Sequence, residues 1–286
     1  MREFFVMTFE PTDGTTLARA VIDAKMWAAP WTTGLYGIDE EGPRLAGSAT
    51  YIQICGQVLM LTAEHVMYKA LQFGRPARYS NGSALAVDDW IAGPSNLDIA
   101  LIFVGDDPAI SPAAFGDVAR SSRDVSEQHL FVQGYPESRS RYTAFLGGPV
   151  SDTAPYITYT LESTWSAYDA ENHFLVHYPG PDEEQISEVG KPIFLPSPEG
   201  LSGCGVWSLG QSLRGFAGAG KFVGVAHRHV EDKRALFVTR IEPILAFVLE
   251  ALRRRAAYKN WLERGCPLWD DLTDWDVACA MIPELT

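Results

Sequence analysis

One serine in a glycine-rich stretch is the residue of this 286-residue chain best suited to covalent chemistry. Residues 195–207 read L-P-S-P-E-G-L-S-G-C-G-V-W, so Ser202 lies between Gly200 and Gly203. A serine hydroxyl is a weak nucleophile that needs a base, and the oxyanion it generates needs amide donors. Because glycine allows a tight turn, the stretch predicts an oxyanion hole formed by the N–H groups of Gly200 and Ser202. An ordinary surface turn between two strands is the alternative interpretation.

Two upstream segments contain the residue types that a nucleophilic serine requires. Residues 62–66 read T-A-E-H-V, and residues 96–104 read N-L-D-I-A-L-I-F-V. His65 is the candidate general base, and Asp98 is the candidate that orients its ring. Taken singly, the histidine is typical of a packed or surface residue and the aspartate of a turn cap. Their joint appearance in the order His65, Asp98, Ser202 favours catalysis.

These motifs resemble those of the trypsin-like (chymotrypsin-fold) serine proteases, and especially their bacterial HtrA-like and intracellular branches. The family patterns are T-A-A-H or T-N-A-H, then D-I-A-L or D-L-A-V, then G-x-S-G-G. The α/β-hydrolases and the subtilisins have other triad orders, so the order excludes both. This chain departs from the family at Glu64, where alanine is usual, and at Cys204 and Gly205, where Gly and Pro are common.

Short apolar segments along the chain predict an all-β fold. Twelve segments rich in Val, Ile, Phe and Tyr are predicted strands, at residues 3–9, 46–54, 57–61, 83–87, 99–104, 129–134, 142–146, 156–163, 174–178, 205–209, 222–226 and 236–239. The resemblance implies two six-stranded antiparallel β-barrels, with the catalytic residues in the cleft between them.

The predicted organisation is a peptidase domain over residues 1–258 and a C-terminal extension over residues 259–286. The domain comprises a first barrel at about 1–120, a second barrel at about 121–240 and a helix at 241–257, where Ile and Leu recur at helical spacing. The extension is rich in tryptophan. Because large exposed aromatics are costly in water, we expect these rings to pack back onto the barrels, with a partner-docking tail as the alternative.

Candidate specificity residues follow from the resemblance. In trypsin-like enzymes the bottom of the primary pocket lies six residues before the nucleophile, which is Pro196 here, so a preference for Lys or Arg is disfavoured. Residues 222–229 resemble the strand that lines this pocket. His227, Arg228 and His229 are therefore candidate substrate-binding residues, and they favour Glu or Gln as the bound side chain.

Composition restricts the partners and the ligands. The 36 acidic and 23 basic residues give a net charge of −13, which disfavours a nucleic-acid partner. The first ten residues show no secretory signal, and no apolar run approaches the roughly 20 residues needed to span a bilayer, so a cytoplasmic location without a membrane partner is expected. The four cysteines form no C-x-x-C pair and the acidic tail lacks the spacing of a calcium loop, so no disulfide, metal or other cofactor is expected.

The sequence as a whole predicts a serine endopeptidase that cleaves a protein or peptide substrate. The resemblance to intracellular members implies control by a regulatory protein partner, and a role as the effector of a multi-protein bacterial stress or defence system. A pseudoprotease that binds a peptide or partner without cutting it is the alternative. An esterase that uses the same triad is a third hypothesis, and fold alone does not choose among the three.

Overall fold

Two curled sheets that form half-barrels dominate the protein. The computed structural model describes residues 14–80, 83–104, 117–119, 121–143, 148–163, 168–180, 182–186, 191–213, 220–265 and 271–282. Within these ranges the chain is mostly β, and it ends in two helices. The predicted all-β fold with two barrels and a C-terminal helix is confirmed.

The first sheet is preceded by a helix, α1 (Gly14–Ala28), which the sequence analysis did not predict. Its seven strands are β1 (Thr32–Asp39), β2 (Gly42–Ile54), β3 (Gln57–Thr62), β4 (Arg75–Ser80), β5 (Ser83–Ala86), β6 (Trp90–Ala92) and β7 (Ala100–Phe103). They pair antiparallel in the order β5-β4-β1-β2-β3-β7-β6. A short helix, α2 (Glu64–Phe73), follows β3 and buries its apolar side against this sheet.

The second sheet and two short hairpins form the other half of the fold. The strands in chain order are β8 (Asp117–Val118), β9 (His129–Gly134), β10 (Ser140–Thr143), β11 (Gly148–Ser151), β12 (Ala154–Thr158), β13 (Thr160–Leu161), β14 (His173–His177), β15 (Gln185–Ile186), β16 (Pro192–Ile193), β17 (Gly205–Gly210), β18 (Lys221–Val230) and β19 (Ala235–Arg240). The sheet order is β12-β9-β17-β18-β19-β14-β13, with β8 parallel to β18. Two hairpins, β10 with β11 and β15 with β16, lie outside it.

Aromatic side chains join the two sheets in a shared core. Trp31, which immediately precedes β1, lies 4.9 Å from Trp207 of β17, measured between ring centroids. Trp27 of α1 meets the same ring edge-on at 5.1 Å, and Phe222 of β18 lies 5.0 Å away. Burial of each large apolar side chain contributes about 1.5–3 kcal/mol. The core therefore fixes the two half-barrels relative to each other, and with them the loops that meet between the sheets.

The C-terminal helices are α3 (Ile241–Glu263) and α4 (Asp271–Met281). The first continues beyond the predicted helix and buries its apolar face in the shared core. The second packs on the first: Arg253 Nε donates to Ile282 O at 3.0 Å, and Arg264 pairs with the buried Asp274 at 3.4 Å. Of the tail tryptophans, Trp261 and Trp275 are partly buried, and Trp269 lies outside the described residues. No helix in the described ranges is both long and apolar enough to cross a membrane.

Several elements differ from the sequence prediction for identifiable reasons. The unpredicted β1 contains two glycines, and the unpredicted β4 contains a proline, and both residue types lower strand propensity. The ten-residue α2 is not among the predicted helices, because its first residues belong to the motif T-A-E-H-V, which indicates a candidate base and not a helix. The predicted strand at residues 3–9 lies outside the described residues.

Candidate active site

His65 lies in the first turn of α2, where the helix needs outside acceptors for its N–H groups. The cap residue Ala63 supplies no side-chain hydrogen bond. Asp98 replaces it, because Asp98 Oδ1 accepts from His65 N at 3.1 Å and Asp98 O accepts from Glu64 N at 3.2 Å. The positive end of the helix dipole also favours this carboxylate. The fold of α2 thus brings the base and its carboxylate together.

The loop that carries Asp98 is held from both sides. Asp98 has a φ of +49°, a left-handed conformation that aspartate tolerates better than most residues. Its neighbours Leu97 and Ile99 are buried in the core. Thr239 of the second sheet donates its hydroxyl to Leu97 O at 2.7 Å. The second half-barrel therefore helps to set the position of a residue from the first.

The His65 ring and the Asp98 carboxylate form a short pair, with 2.7 Å between His65 Nδ1 and Asp98 Oδ2. Burial by itself raises the pKa of Asp98, but hydrogen bonds from His227 and His65 more than offset it and hold that pKa well below its usual range. The carboxylate is therefore ionised at neutral pH. An acceptor at Oδ2 requires the proton on His65 Nδ1, which leaves Nε2 of this half-exposed ring available as a base.

A second imidazole, that of His227 on β18, contacts the same carboxylate. His227 Nδ1 lies 3.2 Å from Asp98 Oδ2, and the side chain is only 7% exposed. The sequence analysis placed His227 among the substrate-binding residues, but its ring faces Asp98. The direction of the ring depends on a local irregularity in strand pairing, for which the sequence gives no signal.

Ser202 joins this group through the backbone of β18. Its Oγ donates to His227 O at 3.1 Å, so hydrogen bonds connect His65, Asp98, His227 and Ser202 in series. Within the described residues the hydroxyl makes no hydrogen bond with His65. Proton transfer to His65 therefore requires a rotation about the serine Cα–Cβ bond, and hydrogen bonds at such sites commonly tighten only when substrate binds.

The turn around Ser202 accepts only glycine at two positions. Gly200 has a φ of +91° and Gly203 a φ of +90°. A Cβ at Gly200 would lie 2.5 Å from Tyr135 O, and one at Gly203 would lie 1.9 Å from Ser48 O. Both distances are far below van der Waals contact. The two glycines thus let the turn at residues 200–203, which carries Ser202, pack against the backbone of both sheets.

The candidate oxyanion donors point away from the contacts that hold this turn. The carbonyls of Glu199 and Leu201 each accept a backbone hydrogen bond, at 2.7 and 3.0 Å. Because a trans peptide directs its N–H opposite to its C=O, the N–H groups of Gly200 and Ser202 face the other way. Neither has an acceptor in the part of the chain that the structure describes. Two amide donors two residues apart are thus available beside the hydroxyl.

Ser48 of β2 is a site residue that the sequence analysis did not identify. Its buried hydroxyl donates to Gly200 O at 2.8 Å and accepts from Tyr135 N at 2.8 Å. Its own N–H donates to Ser202 O at 2.8 Å. The sequence signal is a small polar residue near the start of the apolar segment at residues 46–54, which is too common to be informative. Ser48 fixes the orientation of the turn from the opposite half-barrel.

A cavity of about 290 Å³ opens beside Ser202. Its apolar lining comes from Pro198, Leu201, Ala226 and Leu236, and its polar lining from Glu199, Arg228 and His229. Two of the predicted substrate-binding residues, Arg228 and His229, therefore line this cavity. The other two, Pro196 and His227, are not part of its lining.

Pro196 instead contributes to the structure around the cavity, because its carbonyl accepts a hydrogen bond from the Tyr178 hydroxyl. The same tyrosine ring meets His229 edge-on at 5.6 Å. Burial lowers the pKa of His229, so this ring is predominantly neutral at neutral pH. The permanently positive group of the lining is the guanidinium of Arg228.

Two departures from the family pattern have physical explanations here. The Glu64 side chain hydrogen-bonds Tyr68, which raises the pKa of that phenol. Burial raises the pKa of the Cys204 thiol to about 12, so it stays protonated at neutral pH and is excluded as a nucleophile.

The fold is similar to solved structures of proteases. An inactivated protease paralogue of the scabies mite, S-I1, matches with a TM-score of 0.50 and 13% identity over 80% of this chain and 96% of that chain. The protein GrC matches with a TM-score of 0.51 and 12% identity over 79% and 96%. The active form of a protease from M. tuberculosis matches with a TM-score of 0.47 and 15% identity over 87% and 92%.

Sequence comparison adds nothing to this likeness, since no family model and no curated protein matches the chain. Identities this low show the fold alone, and an inactivated protease stands among the similar structures. Activity must therefore be argued from the site itself. The comparisons establish that this chain has the two-barrel fold of the trypsin-like proteases.

Proposed function

We propose that this protein is a serine endopeptidase in which Ser202 is the nucleophile, His65 the general base and Asp98 the residue that orients it. The observation that carries the proposal is the hydrogen-bonded series from His65 through Asp98 and His227 to Ser202. The ionised carboxylate supports it further, because it stabilises the imidazolium that forms when His65 takes a proton.

The reaction proceeds in two halves. Ser202 Oγ turns to His65 Nε2, gives up its proton and bonds to the scissile carbonyl carbon. The tetrahedral intermediate collapses when the C–N bond breaks and His65 passes the proton to the leaving amine. Water then attacks the acyl-enzyme by the same route, releasing the new carboxyl group and restoring Ser202.

The oxyanion in both halves would be bound by the N–H groups of Gly200 and Ser202. Support comes from their lack of an acceptor among the described residues and from the hydrogen bonds that hold the turn in place. Each such donor typically contributes about 2.7–4 kcal/mol to lowering the barrier. Because these donors are already oriented, little reorganisation is needed at the moment of reaction.

Beside Ser202 the cavity would hold the side chain that precedes the scissile bond, and we assign it a preference for Glu or Gln. Its apolar walls suit the methylene groups of such a side chain, and Arg228 and His229 offer donors to its end.

The proposal is tested with a fluorophosphonate probe, which labels only an activated serine. We expect the wild type to be labelled and S202A and H65A to lose the label. The matched control is S197A, because Ser197 is an exposed serine of the same loop. S197A should label at the wild-type rate.

Two results would contradict the proposal. Labelling that persists in S202A would place the reactive group elsewhere. A folded wild type that neither takes the label nor cleaves any peptide would favour the peptide-binding alternative, in which the same cleft acts without chemistry. Circular dichroism of each variant separates loss of reactivity from loss of fold.

A further inference from the structure

His227 occupies an irregular position in β18. In the pairing of β18 with β19, Ala226 lies opposite Val238 and Arg228 lies opposite Phe237, so His227 has no partner residue. This is a β-bulge, which bends a strand locally and changes the direction of a side chain. The carbonyl of the bulged residue accepts from Ser202 Oγ. The bulge thus places both the backbone and the ring of His227 at the candidate triad.

The ring of His227 shares one oxygen with His65. Asp98 Oδ2 lies 2.7 Å from His65 Nδ1 and 3.2 Å from His227 Nδ1. An ionised carboxylate can only accept hydrogen bonds, so both Nδ1 atoms must carry protons. Two donors on Oδ2, together with the His65 backbone N–H on Oδ1, leave the carboxylate little freedom to rotate.

The other side of the His227 ring packs against aromatic rings. Its Nε2 is buried without a hydrogen-bond partner among the described residues. The rings of Phe237 and His173 lie 5.1 and 5.6 Å away, centroid to centroid. Burial, and then the nearby His227, lower the pKa of His173, which keeps that ring neutral at neutral pH. The hydrogen bond with Asp98 is therefore the polar contact that determines where the His227 ring points.

The geometry points to His227 as a positioning residue: its Nδ1–H anchors the Asp98 carboxylate so that Oδ2 stays directed at His65 Nδ1. The ring touches neither the cavity nor the reacting atoms, so it acts through Asp98 and His65. The effect on catalysis rests on the proposed function. The anchoring of Asp98 does not, because it concerns hydrogen bonds that exist without substrate.

The test compares three substitutions of His227. H227N keeps a donor at the Nδ1 position, because the asparagine amide nitrogen overlays that atom. H227F keeps a flat ring but has no donor, and H227Q moves the donor to the Nε2 position, away from Asp98. H227Q provides a second donor-lacking variant if H227F fails to fold.

The first readout is the proton NMR resonance of His65 Nδ1–H in an S202A background, where no activity is required. We expect a far-downfield signal in the parent and in H227N, and its loss or upfield shift in H227F and H227Q. An unchanged signal in a folded H227F or H227Q protein would overturn the proposal, whether or not the protein proves to be a protease.

The second readout is reactivity. We expect fluorophosphonate labelling and kcat to fall about 10–100-fold in H227F and H227Q, the loss that corresponds to one charge-assisted hydrogen bond. KM should stay unchanged, because the ring does not line the cavity. H227N should recover most of the rate. A fall in H227N equal to that in H227F, or a rise in KM alone, would indicate a merely structural role and overturn the proposal.

Discussion

At the scale of single residues, Asp98 combines several contacts within the candidate site. It caps α2, orients His65 and accepts from His227. These roles are compatible because all of them require the ionised form, which the hydrogen bonds favour over the neutral acid. A residue that serves local helix structure and chemistry at once is expected to affect both when it is changed.

The charge of Asp98 should make the free energy of unfolding depend on pH in the acid range. Its pKa is depressed in the folded state, so the stabilisation is complete above its unfolded value of about 3.9 and is lost as pH falls through the folded value. In D98N the left-handed backbone is tolerated, so mainly the charge changes. We expect denaturant unfolding to show a constant difference in the free energy of unfolding between wild type and D98N from pH 7 to 5, and a shrinking difference below pH 4.

The matched substitution is D152N, at an exposed aspartate far from the triad in sequence, which measures the background effect of the same chemical change. A difference between wild type and D98N that persists undiminished to pH 2.5 would show that the charge of Asp98 does not stabilise the fold.

At the scale of elements, β18 contributes to two parts of the candidate site. The bulge at His227 directs that ring toward Asp98, and the next two residues, Arg228 and His229, line the cavity. Without the bulge the side chains after Ala226 would alternate in the regular register and face the opposite sides of the sheet. One irregularity in pairing thus separates the residue that contacts Asp98 from the two residues that line the cavity.

Reversing the charge of Arg228 should change specificity. On a panel of peptides that differ only at the residue before the scissile bond, we expect wild type to prefer Glu. R228E should lower kcat/KM for the Glu peptide by about 10–100-fold, the loss of one charge-assisted hydrogen bond, with little effect on a Leu peptide. The control K221E makes the same charge reversal at the exposed start of the same strand. A wild-type preference for large apolar residues would refute the assignment.

At the scale of the whole molecule, the site exists only where the two half-barrels meet. The first contributes His65 and Asp98, and the second contributes Ser202 and His227. Ser48 connects the two halves through hydrogen bonds to the turn that carries Ser202. The stability of this junction and the geometry of the site should therefore change together.

Removing the Ser48 hydroxyl tests this coupling. S48A leaves Gly200 O and Tyr135 N without their partner, which typically costs about 1–3 kcal/mol when the groups are buried. We expect denaturant unfolding to show a loss of this size together with slower fluorophosphonate labelling. The comparison variant is T50V. It removes the hydroxyl of Thr50, whose hydrogen bond to Gly203 O is long, at 3.5 Å. Equal losses in S48A and T50V would argue against a special role for Ser48.

Much of the fold was predictable because strands and helices depend on local patterns. The segment over residues 129–134 coincides with β9, and α3 begins at the predicted residue, since both have strong apolar periodicity. Cys55 shows the limit of such arguments: it follows an alternating apolar run, which predicts a position in a buried strand, but it is exposed in the turn between β2 and β3 with a φ of +50°. Alternation alone does not show where a strand ends.

The sequence by itself determined which residues are candidates for chemistry, because His65, Asp98 and Ser202 each stand in a short motif that can be recognised locally. Only the tertiary structure decided what surrounds them. The contact between Asp98 and His227 spans 129 positions, and that between Ser48 and Gly200 spans 152. Such contacts depend on strand register, on one bulge and on the packing of two half-barrels. Register, bulge and packing are set by the whole core rather than by neighbouring residues, so no local motif encodes them.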